Sequence, residues 1–357
     1  MERVYNFNAG PSAMPLSVLQ TVQRDFLDFN HTGMSIVEIS HRSAAYQELQ
    51  ADTIALLKKV MRIPDGYHIV FLQGGGSMQF LMHGANFLKR RGAYVNTGVW
   101  ATKAMEAAAF FGPVYEAASG KKEDFGRIPE IDAIHLQNDT DYLYITSNNT
   151  IYGTEWQQYP HLGLPLICDA SSDFLARPVH VADFDLLYAG VQKNVGPAGA
   201  VVAIIKDTLL QQARTDIPVM LQYRTFVEHD STYNTPPVFA IYFVNQVLHW
   251  IDRNGGLTAM EMRNRQKAAI VYDAIDRSNG FYRGHAAVNS RSLMNVTFRL
   301  ATPELEKAFV AAGAARRLIG LKGHRSLGGC RASIYNAVTV EACEVLAEFM
   351  DEFRKRR

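Results

Sequence analysis

Between residues 67 and 205 the chain passes repeatedly through short apolar stretches that lack polar alternation. They read "YHIVFL" (67–72), "GAYVNT" (92–97), "DYLYITS" (141–147), "GLPLICDASS" (163–172), "DLLYAG" (185–190) and "AVVAII" (200–205), and segments of helical period separate them. A strand with one wet face alternates apolar and polar residues. Runs such as "LYITS" and "AVVAII" do not, so both of their faces must be covered, as in a sheet sandwiched between helices. The pattern predicts an α/β fold with a mostly parallel sheet flanked by helices.

This organisation extends from about residue 16 to residue 254. After "DRNGG" (252–256) the pattern changes to a long amphipathic helix over 258–277, a strand "SLMNVTFRL" (292–300) and helices over 303–312 and 340–353. The expected division is a large domain, 16–254, and a smaller C-terminal α+β domain, 255–357. Residues 1–15 are expected to pack with the small domain and the active site. A chain of 357 residues, 48% of them hydrophobic, can bury cores of this size. Thirty-six basic against thirty-five acidic residues give a net charge of +1, which argues against a nucleic-acid or membrane partner. Three scattered cysteines suggest neither a disulfide framework nor a metal site. No apolar stretch is long enough for secretion or a membrane span, so a cytoplasmic location is expected.

In open parallel sheets, ligand-binding groups collect at the carboxyl ends of the strands. Five such ends carry suggestive chemistry. "FLQGGGSMQF" runs from a strand through Gly76 and Ser77 into a helix, a tight turn or a phosphate cradle of free amides. "NTGVWATKA" puts Trp100 at a helix start, either as core or as a surface for a planar ring. Thr150 in "NNTIYGT" offers a hydroxyl to backbone or ligand. Asp169 ends an apolar strand, where it needs a helix to cap or a cationic partner such as a pyridinium nitrogen. Lys193, in "YAGVQKNVGPAG", is either a lysine reaching water or a desolvated amine able to attack a carbonyl. Taken together, the five make a complete pyridoxal phosphate site.

With these segments in view, the chain resembles the phosphoserine aminotransferases among the class-V, fold-type I pyridoxal phosphate enzymes. The resemblance runs through "NFNAGPSAMP", "SHRS", "GGGSMQF", "NTGVW", "NNTIYGT", "CDASSDFLARP", "YAGVQKNVGPAG", "YNTPPVFAIY" and "KGHRSLGGCRASIYNA". It implies that Lys193 holds the cofactor as a Schiff base and shuttles the Cα proton. Asp169 would pair with the ring nitrogen and Trp100 would stack on the ring. Gly76, Ser77, Thr150, Ser171 and Gln192 would hold the phosphate and the ring oxygen. Asn234 and Thr235 would cross a homodimer interface to the neighbour's cofactor phosphate. Some relatives carry arginine where this chain has Ser77, so backbone amides must supply more of the anion binding here.

Arginine forks suit carboxylates and phosphates. The resemblance gives Arg331 the substrate α-carboxylate, and gives His41, Arg42, His324 and Arg325 the glutamate side chain or the substrate phosphate. The implied reaction exchanges an amino group between glutamate and 3-phosphohydroxypyruvate, yielding phosphoserine and 2-oxoglutarate. A phosphorylated hydroxythreonine remains open as a further substrate. Two competing readings are a desulfurase using Cys330 as nucleophile and a non-catalytic phosphate-binding module.

Overall fold

The computed structural model describes residues 3–357. Its central sheet has seven strands: β1 (Tyr67–Leu72), β2 (Arg91–Asn96), β3 (Val114–Ser119), β4 (Thr140–Thr146), β5 (Leu166–Asp169), β6 (Leu186–Gly190) and β7 (Val201–Lys206). Their spatial order is β1-β7-β6-β5-β4-β2-β3. Strand β7 runs antiparallel to both of its neighbours, with Ile204 opposite Ile69 and Leu187, and the other strands share one direction. The link 191–200 is shorter than the crossover of about a dozen residues that a parallel return needs. The chain therefore turns straight back, and that turn carries Lys193.

Alternate residues of the strands enter two different cores. Ile69, Phe71, Val95, Ile145, Leu187 and Val202 face one side, where helices α1 (Leu16–Asp25) and α2 (Ala44–Met61) pack. Val70, Tyr94, Tyr144, Leu186, Tyr188 and Ala203 face the other, under α3 (Gly75–Phe87) and α4 (Val99–Ala108). Helix α5 (Val238–Arg253) completes the first side. Strand β3, "VYEAAS", escapes the sequence pattern because it is an edge strand in which only Ala117 is buried. The run 163–172 yields only four strand residues, since the chain breaks into turns after Asp169.

The C-terminal part comprises α6 (Gly256–Asp276), β8 (Asn295–Arg299), α7 (Pro303–Ala315), β9 (Cys330–Ser333) and α8 (Val340–Lys355). Helices α7 and α8 open on threonine caps, Thr302 accepting from the Leu305 amide and Thr339 from that of Ala342. Strands β8 and β9 pair antiparallel, and Val296, Phe298, Phe309, Leu346 and Met350 form a separate core beneath them. Phe7 is inserted into this core, and the strand Tyr5–Asn6 pairs with Leu318–Ile319. Beyond it the N-terminal segment reaches the Lys193 turn: the Ser12 amide donates to the Gln192 carbonyl, and the Ser12 hydroxyl to that of Lys193. On α6, the buried Lys267 donates to the carbonyls of Ile334 and Tyr335 at 2.9 and 2.8 Å, fixing the exit of the strand that carries Arg331.

Candidate active site

The ends of β5 and β6 and the first turns of α3 and α4 surround a cavity of ≈ 250 Å³. Lys193 enters it from the β6–β7 turn. Its Nζ donates to Thr150 Oγ1 at 2.8 Å and lies 5.8 Å from the centre of the Trp100 ring. Burial is the largest influence on this amine and lowers its pKa; Asp169 and Asp173 oppose that shift, and Arg331 adds to it. The neutral, nucleophilic form is therefore reached at a lower pH than for a solvated lysine.

Asp169 ends β5 and is buried on the wall of the same cavity. Its Oδ1 accepts from the Ser171 amide at 2.9 Å and from the Ser171 hydroxyl at 2.6 Å. Ser171 Oγ in turn accepts from the Gly190 amide at 3.0 Å. The single hydroxyl proton of Ser171 thus goes to Asp169, and the carboxylate is locked in orientation. Among the described residues no hydrogen bond reaches Oδ2, which leaves an acceptor for a cationic or N–H group of a ligand.

Gly76 and Ser77 line the opposite side, in the first turn of α3, where backbone amides have no intrahelical acceptor. The helix can start so close to β1 because Gly74 takes φ 84°; a Cβ there would stand 2.6 Å from that of Met78. At Gly76 a Cβ would come within 3.4 Å of Ser171 Oγ and fill the cradle. Trp100 stands in the first turn of α4 with its indole Nε1 buried and unpartnered. Arg331 projects from β9, its Nη1 donating to the Thr150 carbonyl at 3.0 Å and its Nε buried without a partner. Burial pushes the Arg331 pKa down. Gln192 and His324 complete this part of the wall. The His324 pKa is lowered by burial first and then by Arg331, Arg325 and Lys103.

Other expected residues lie elsewhere in the single chain. Arg325 is exposed, and His41 and Arg42 precede α2, with Arg42 in solvent. Asn234 is half-buried and Thr235 exposed in the loop before α5, where the Thr235 carbonyl accepts from Gln73 Nε2 at 2.7 Å. None of these five lines the cavity. Cys330 is fully buried, and its thiol is pushed up to about 12, by burial and then by Glu306, which leaves it a poor nucleophile. Sequence reading did not single out Gly10, which lines the cavity with a Cβ position 3.4 Å from Lys193 Cγ. The Gly-Pro pair in "NAGPS" was the available signal.

A family model for class-V aminotransferases matches residues 4–346. The chain belongs to the class-V aminotransferases. The chain is 53% identical to the phosphoserine aminotransferase of Lysinibacillus sphaericus over 358 residues, covering 99% of each chain. The solved phosphoserine aminotransferase of Bacillus circulans subsp. alkalophilus superposes with a TM-score of 0.98 at 49% identity, both chains being covered in full. A pyridoxal phosphate-bound phosphoserine aminotransferase from Trichomonas vaginalis superposes with a TM-score of 0.93 at 36% identity, covering 98% of this chain and 100% of that one. The class-V fold accounts for the convergence of β5, β6, α3 and α4 on a single cavity.

Proposed function

We propose that this class-V enzyme transfers an amino group between L-glutamate and 3-phosphohydroxypyruvate, giving O-phospho-L-serine and 2-oxoglutarate, with pyridoxal phosphate as cofactor. The observation that carries this reading is the meeting of the desolvated Lys193 amine and the oriented Asp169 carboxylate in one cavity, beside the Trp100 ring. The fit to the cofactor rests on unused groups: free amides at the start of α3, the glycine-shaped cradle at Gly76, the orphan Trp100 Nε1 and the unpaired Asp169 Oδ2. When bound, pyridoxal phosphate supplies a conjugated ring that withdraws electrons from the substrate's Cα.

The protein groups divide the remaining work. Lys193, held by Thr150, would anchor the cofactor covalently, and when not so bonded its neutral amine would carry the substrate's Cα proton. Asp169 Oδ2 would hold the pyridine nitrogen in its protonated form, its partner oxygen being fixed by Ser171. Gly76, Ser77 and Gln192 serve the cofactor phosphate and ring oxygen, with Ser171 acting through Asp169. Arg331 offers its unpaired donors to the α-carboxylate, beside His324.

The reading extends to a homodimer located in the cytoplasm. In it Asn234 and Thr235 reach the second copy's cofactor phosphate. His41 and Arg42, lying outside their own cavity, serve the second copy's substrate, and Arg325 serves the substrate phosphate from the rim. Among the described residues no helix is long and apolar enough to cross a membrane. A screen of amino donors and acceptors tests the assignment. Preference for glutamate with 3-phosphohydroxypyruvate is expected; equal use of unphosphorylated acceptors would leave only a general class-V aminotransferase.

A further inference from the structure

Outside the residues that line the cavity, and linked to Asp169 through Ser147, lies a charge cluster that the mechanism above does not use. Glu155 and Asp173 are buried in it and Arg177 is half-buried. Arg177 Nε donates to Glu155 Oε1 at 3.1 Å, and its Nη2 donates to the Trp156 carbonyl and the Tyr159 hydroxyl at 2.8 and 3.0 Å. The other oxygen of Glu155 accepts from the Leu293 amide at 2.7 Å. One guanidinium is thus committed to Glu155, whose pKa burial raises while Arg177 and the Leu293 amide oppose that rise. Asp173 receives nothing from it. Among the described residues its only side-chain hydrogen bond is with Ser147 Oγ.

Ser147 presents a counting problem. Its hydroxyl carries one proton but lies against two acceptors, Asp173 Oδ1 and, at 3.2 Å, the Asp169 carbonyl oxygen. Both contacts can be hydrogen bonds only if one neighbour donates, and of the two only the carboxyl can. We propose that Asp173 is a positioning residue held as the neutral acid, donating its proton to Ser147 Oγ so that the Ser147 hydroxyl donates to the Asp169 carbonyl. The Ser147 amide grips the same carbonyl at 3.0 Å, so the pair fixes the end of β5 from behind. Ionising Asp173 would draw the Ser147 proton to itself and remove one of these two bonds.

The surroundings agree. Burial is the largest influence on Asp173, Glu155 and Asp169 act in the same direction, Arg177 and the Ser147 bond oppose them, and together these raise its pKa to about 7. Tyr159, Cys168, Lys193 and Tyr335 are the other titratable groups that feel its charge. An ionised Asp173 would favour the ammonium form of Lys193, against the need for a neutral amine. That catalytic consequence rests on the aminotransferase reading. The protonation state does not.

The test compares the wild-type holoenzyme with D173N, whose amide can donate to Ser147 but cannot ionise. A carboxyl whose pKa is raised by folding binds its proton more tightly in the native state, so stability falls as pH rises from about 4 to about 7. The thermal midpoint of D173N is expected to gain on that of wild type as pH rises, standing higher relative to it near pH 8 than near pH 5. Its pH–rate profile should also lose the decline that Asp173 ionisation imposes. A midpoint below wild type by the same amount at both pH values would overturn the proposal. If D173N does not fold, the infrared spectrum of wild type decides. A protonated-carboxyl band at about pH 6 that vanishes by about pH 9 and persists in Glu155→Gln supports a neutral Asp173, and no such band at pH 6, or its loss in Glu155→Gln, refutes it. Neither readout depends on turnover, so a failed substrate screen and a failed proposal are separable.

Discussion

Replacing Arg331 by alanine should weaken every substrate, and the structure sets the size of the loss. One of its donors, Nη1, is tied to the Thr150 carbonyl and holds the fork in place, while the buried Nε has no partner. A hydrogen bond to a charged group contributes about 1.5–3 kcal/mol. Losing one such bond to an α-carboxylate costs the same about 1.5–3 kcal/mol, or about 10- to 150-fold in kcat/KM. The same deletion has a second effect. The Arg331 cation lowers the Lys193 pKa, so removing it raises that pKa and moves the acid limb of the pH–rate profile to higher pH. Spectrophotometric half-reactions with glutamate and with phosphoserine, each over a range of pH, measure both effects. The Arg331→Lys variant separates them, because it keeps the charge and loses the planar fork. It should leave the acid limb near its wild-type position while kcat/KM falls. A loss confined to one substrate, or an unmoved acid limb in Arg331→Ala, would refute the reasoning.

If Arg325 serves the substrate phosphate as proposed, Arg325→Ala should lower kcat/KM about ten- to a hundred-fold for phosphoserine and 3-phosphohydroxypyruvate, with little effect on unphosphorylated serine. Equal losses for serine and phosphoserine would remove Arg325 from phosphate recognition. Asp169→Asn should still bind the cofactor but slow the Cα proton step by orders of magnitude, since a neutral amide does not hold the pyridine nitrogen protonated. Stopped-flow measurement of the half-reaction checks this, and an unchanged rate would take Asp169 out of the mechanism.

The parts of the fold legible in the sequence were those in which burial alone fixed the residue type. Strands β1, β4 and β7 are covered on both faces, and their unbroken apolar runs say so. The edge strand β3 keeps Glu116 and lacks that signature. The direction of β7 depended on the length of a loop, which apolar periodicity does not report. Lys193 and Asp169 stood out because a charge at the end of an apolar run demands an explanation. The cluster behind them did not. Glu155, Asp173 and Arg177 sit in stretches that read as ordinary polar turns, and the buried carboxyls of Glu155 and Asp173 meet partners distant in sequence, Leu293 and Ser147. Asn234, Thr235, His41 and Arg42 gain a site only if a second copy supplies one, as proposed above.

The most direct test of the Lys193 assignment is borohydride reduction of the purified yellow enzyme, followed by peptide mass mapping. The chain holds a second desolvated lysine, Lys267, whose pKa burial lowers to about 7, but its ammonium is occupied by two carbonyls and it lies outside the cavity. The cofactor mass should appear on the peptide containing Lys193 alone. Its recovery on Lys267 or any other lysine, or retention of the reducible chromophore in Lys193→Ala, would contradict the placement of the reactive amine at the end of β6.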